Sequence, residues 1–87
     1  MDDPHGYARL TRSLVFLRDE LLQHGHHDQA TEVSRALTYA CGSPSEYLGE
    51  SRIVLRCVAS TAPLPASILA FASSLADEID EGFRRVG

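Results

Sequence analysis

Leu10, Leu14, Leu17 and Leu21 recur at steps of three and four residues, the spacing of one helical face. That spacing predicts a first helix from about Pro4 or Tyr7 to His24. Val15, Phe16 and Leu22 widen the apolar face on both flanks, so this helix is expected to meet neighbours on two sides, or a second subunit. Gly25 stands where a left-handed C-terminal cap belongs. A second helix is expected from Asp28, a good N-cap, to Cys41, with Ala30, Val33, Leu37 and Ala40 as its stripe and Ala36 and Cys41 alongside. Gly42 reads as its cap. Ser43-Pro44-Ser45-Glu46 has the form of a capping box, with Pro44 at the first helical position and Glu46 reaching back to Ser43. The third helix follows to about Ser60. Two prolines between Ser60 and Pro65 force a connector, and a fourth helix runs from Pro65 to about Arg85 through Ile68, Ala72, Leu75, Ile79, Phe83 and Val86. No stretch alternates in the manner of a strand, and there is no internal repeat. Helices of this length with short connectors pack as antiparallel neighbours. The expected fold is therefore all-α, a compact antiparallel four-helix bundle in which residues 1–87 form a single helical domain.

Composition narrows the classes of function. The chain is 44% apolar and 23% charged, which is ordinary for a globular domain. A chain of 87 residues buries only about 60% of its extended surface, so a second subunit would widen its stability margin. Monomer and homodimer both stay open. Twelve acidic residues against eight basic ones give a net charge of −4, and the basic residues are all arginine. Nucleic acid rewards clustered Lys and Arg, so no nucleic-acid partner is expected; an acidic surface suits a basic protein, or simply keeps the chain in solution. No apolar run approaches the roughly 20 residues that span a bilayer, and Met1-Asp2-Asp3-Pro4-His5 is wrong for a secretory signal. The expectation is a cytoplasmic protein without a membrane partner. Cys41 and Cys57 lack a CxxC spacing and read as small buried hydrophobes of a reducing compartment, with a disulfide between them as the alternative.

Candidate chemistry is sparse. His24, His26, His27 and Asp28 contain metal-ligating groups, but no two histidines sit four apart on one helical face, and the cluster falls on a helix break. It reads as a solvated loop, with neither metal nor cofactor. There is no nucleophile elbow, glycine-rich phosphate loop or HExxH, and a bundle this small is expected to offer no substrate pocket. The chain is not expected to be an enzyme.

The third helix carries more. Tyr47, Leu48, Ser51, Val54, Leu55 and Val58 fall on one side and should face the core. Glu46, Glu50, Ile53 and Cys57 form a separate stripe, with Gly49 beside it. An isoleucine bordered by two glutamates makes a candidate docking strip; the competing and favoured expectation is that Ile53 and Cys57 pack under a neighbouring helix. Gly49 would permit close backbone approach, at roughly 1 kcal/mol of helix stability relative to alanine. Asp77, Glu78, Asp80 and Glu81 form a second acidic surface, expected to be a solvated face, with contact to a basic protein as the alternative. The candidate partner-binding residues are Glu46, Gly49, Glu50, Ile53, Asp77, Asp80 and Glu81.

The segments Gly42-Ser43-Pro44-Ser45-Glu46-Tyr47-Leu48-Gly49-Glu50 and Ile79-Asp80-Glu81-Gly82-Phe83-Arg84-Arg85-Val86-Gly87, with the amphipathic helix between them, look similar to small acidic helical bacterial proteins, some of which are immunity proteins. The resemblance covers about half the chain and transfers no functional residues. It implies a protein that binds a basic partner, such as a toxin domain, and neutralises it by occlusion. A homodimeric regulatory or scaffolding bundle is the alternative.

Overall fold

In a computed structural model, which describes residues 7–61 and 64–86 and side chains as far as Gly82, the chain forms four α-helices. They are α1 (Tyr7–Gln23), α2 (His27–Leu37), α3 (Pro44–Ala59) and α4 (Ala66–Val86), with a 3-10 turn, Thr38–Cys41, continuing α2. No strand occurs among the described residues. Each helix packs mainly on the next, α1 on α2, α2 on α3 and α3 on α4, whereas α1 meets α4 only sparsely. The result is an antiparallel four-helix bundle. Its radius of gyration is 12.4 Å, close to the ~12 Å expected of a folded chain this long.

The leucine stripe of α1 is fully inside: Leu14, Leu17 and Leu21 expose nothing. They meet Val33 and Ala36 of α2, Leu55 and Val58 of α3, and Ala72 and Ala76 of α4 in one continuous core. Small residues on α2 and α4 let the helices approach closely around the larger leucines. Tyr47 is buried as well, its ring edge-on to Tyr7 with centroids 6.0 Å apart, and its hydroxyl shares a 2.6 Å hydrogen bond with Thr11. Burial pushes the Tyr47 phenol upward, and the Thr11 bond partly offsets this. Ser51 is the exception in the core: its Oγ is buried without a hydrogen-bond partner.

The helix ends depart from expectation in three places. Gly25 adopts φ +79°, His26 N–H donates to the Leu21 carbonyl (2.8 Å) and Gly25 N–H to that of Leu22 (3.1 Å), a complete Schellman motif. Because His26 closes α1 and its own carbonyl accepts from Ala30, α2 starts at His27, and Asp28 lies inside its first turn instead of capping it. At the other end, α2 tightens into the 3-10 turn from Thr38, and Gly42 stays outside the left-handed region (φ −104°). A 3-10 step turns each residue further than an α step, so Ala40 and Cys41 rotate off the core stripe and lie exposed. Ser43 has the extended N-cap backbone, Pro44 opens α3 and the Ser43 carbonyl accepts from Tyr47, but the Ser43 side chain makes no capping bond. The expected capping box is therefore not formed; Ser43 and Pro44 set the start of α3 through backbone geometry alone. On α4, Ile68, Ala72, Leu75 and Ile79 are buried as their spacing predicts; Phe83 and Val86 lie beyond the described side chains, as Pro4 lies before the described residues.

Candidate functional site

The solvent face of α3 is the surface on which the sequence concentrates its candidates. Tyr47, Ser51, Val54, Leu55 and Val58 turn inward, as expected, with Leu48 half-buried at the edge. The opposite side carries Glu46, Gly49, Ile53 and Cys57. Contrary to the favoured expectation, no neighbouring helix covers them: Ile53 is 53% exposed and Cys57 is an exposed free thiol. Neighbours exist only on the flanks, because α2 and α4 take the two core-side edges of α3 and leave its outer ridge bare. Cys41 is likewise exposed and free, so neither cysteine is the small core residue it was taken for.

Gly49 is half-buried, yet a Cβ built there meets nothing within 4 Å. Among the described residues, then, no backbone from another element lies within 4 Å of that position. Its absent side chain is not explained by packing.

The acidic residues are for the most part engaged. Arg35 of α2 donates to Glu50 (Nη1–Oε1 2.8 Å) and holds Glu32 at 3.2 Å, so α2 is tied to one flank of α3. On the other flank, Arg56 donates to Asp80 at 2.6 Å and to Asp77 at 2.9 Å, and Arg52 reaches Asp80 at 3.1 Å. These bonds, that from Arg56 foremost, hold the Asp80 carboxyl below the usual carboxylate range. Arg9 forks onto both oxygens of Glu78 at 2.7 and 3.3 Å, joining α1 to α4. Asp77, Glu78 and Asp80 therefore form interhelical ion pairs, where a solvated acidic face was expected. Of the glutamates on the α3 strip, Glu46 alone has no ion-pair partner among the described residues. The arrangement is an apolar ridge, Ile53 and Cys57, between two rows of matched charges.

A feature the sequence did not reveal lies on another side of the bundle. Where α1 and α4 diverge, Phe16 and Phe71 meet edge to face, centroids 5.4 Å apart, above a groove of about 370 Å³ lined also by Glu20, His24, Pro65, Ser67 and Ile68. Phe16 was visible as a flank of the α1 stripe, but its pairing with a residue in α4 had no signal in the sequence. Among the described residues no group of three His, Cys, Asp or Glu is placed to hold an ion. No described helix is long and apolar enough to cross a membrane. No protein-family model, no curated protein and no solved structure matches this chain.

Proposed function

We propose that the protein is a binding module that docks another protein on the solvent face of α3, with occlusion of a cognate toxin, in the manner of immunity-type proteins, as its most concrete form. The observation that carries this reading is Ile53, more than half exposed on a ridge that no helix of the bundle covers. Burying its exposed half contributes roughly 1 kcal/mol or a little more, a modest anchor. The ion pairs on both flanks hold the charged rim in place before any partner arrives, which lowers the entropy lost on docking. Because Glu50, Asp77 and Asp80 are already matched by arginines, attraction of a basic partner rests on the net charge of −4 and on Glu46 more than on a free acidic face. The α3 ridge supplies the anchor, and electrostatics the approach.

Capture experiments on cell lysate with three baits test it: wild type, Ile53→Arg and Leu22→Glu. The reading expects one stoichiometric partner on wild type and Leu22→Glu, absent from Ile53→Arg. Retention by a folded Ile53→Arg bait would remove the α3 ridge as the site. A homodimer is the second reading, favoured by Leu22, which is 45% exposed on the flank of α1. Sedimentation decides it, since a dimer through α1 should lose half its mass in Leu22→Glu.

A further inference from the structure

The groove between α1 and α4 has the composition of a small-ligand site. Its volume is about 370 Å³, and it is an open groove, not an enclosed cavity. Ile68, Pro65 and the Phe16–Phe71 pair give it an apolar body, and Glu20 and His24 stand together in its lining, one helical turn apart. Among the described residues, no arginine lines it. The Glu20 side chain is 28% exposed, and its one ion-pair partner among the described residues is His24, at 3.9 Å and charged only when protonated. An anionic occupant would be repelled by that carboxylate, and a neutral one offers it at most a hydrogen bond. An organic cation adds a charge–charge attraction to Glu20 while its apolar part covers the phenyl pair.

We propose that this groove binds an organic ammonium ion, its apolar body against Ile68, Pro65 and the two phenyl rings and its charged head on Glu20. None of the lining residues belongs to α3, so the site is independent of the protein-docking ridge. The test is an NMR titration of the ¹⁵N-labelled full chain with 2-phenylethylammonium, alongside neutral 2-phenylethanol and anionic 3-phenylpropionate. The amine should produce saturable shifts centred on Phe16, Glu20, His24, Ser67, Ile68 and Phe71, with a Kd on the order of 1 mM. It should bind roughly fivefold tighter than the alcohol, and the carboxylate should not bind. Glu20→Gln should bring the amine down to the level of the alcohol while leaving the alcohol unchanged. Phe16→Ser, at an exposed position that the fold tolerates, should weaken both. No saturable shift with the amine, equal affinity for amine and alcohol, or an unaltered preference in well-dispersed spectra of Glu20→Gln would each overturn the assignment.

Discussion

Replacing Gly49 by alanine should make the protein more stable, although glycines inside helices are often kept for packing. Gly49 lies in the interior of α3, and its φ is not in the left-handed region, where Gly25 alone stands among the described residues. Glycine in a helix interior is about 0.8–1.0 kcal/mol less favourable than alanine, because its unfolded chain is freer and its backbone less shielded. A new Cβ at this position finds nothing within 4 Å, so no clash subtracts from that gain. The net expectation is a stabilisation of about 1 kcal/mol, which in a domain of this size raises the melting temperature by roughly 4–8 °C. Circular dichroism through a thermal ramp reads it directly, and urea unfolding should show a later midpoint with an unchanged slope. An unaltered or lowered melting temperature would refute the claim that the space over Gly49 is open. If the loss appeared only at high protein concentration, a second copy would be filling that space. Should the α3 ridge dock a partner closely, the same substitution would stabilise the free protein and weaken the complex.

Gly25→Ala should do the reverse, with surroundings just as empty: at φ +79° a Cβ is strained by its own backbone, and a loss of about 1 kcal/mol in chemical unfolding is expected. Ser51→Ala removes a buried hydroxyl that has no partner, so it should leave stability unchanged or raise it by about 1 kcal/mol; a loss above that size would show that Oγ makes a hydrogen bond after all. Asp80 supplies a pH signature. Its folded pKa is depressed, so its contribution is present above the ordinary aspartate value near ~3.9 and fades as pH falls through the lower folded value. Wild type and Asp80→Asn should therefore differ in melting temperature at pH 7 and converge in strong acid, and a constant gap across that range would contradict the pairing with Arg56 and Arg52.

What could be read in advance, and what could not, divides along a physical line. The leucines of α1 and the Ile68–Ile79 face of α4 were legible because burial of a helical face is a local pattern, set by spacing alone. Gly25 was legible because a left-handed residue leaves little choice of amino acid. Ile53 and Cys57 were not, since whether a third face of α3 is covered depends on where α2 and α4 settle. Asp77 and Asp80 looked solvated because their arginines lie more than twenty residues away in the chain. The phenyl pair of Phe16 and Phe71 is equally non-local. Cys41 was misplaced by the change from α to 3-10 winding at Thr38, a shift of register that apolar spacing does not encode.

The order in which the helices pack has a kinetic consequence. Since α1 lies against α2, α2 against α3 and α3 against α4, nearly every pairing closes only a short length of chain. Proteins built from such near-sequence pairings refold in microseconds to milliseconds, far faster than sheets of the same size. During synthesis, α1 and α2 could close as a hairpin while α3 and α4 are still being made, at roughly 5–20 residues per second. The thin seam between α1 and α4 would then zip last on folding. By the same logic it would part first on unfolding, so the two phenyl rings that bridge it should report the earliest step of opening.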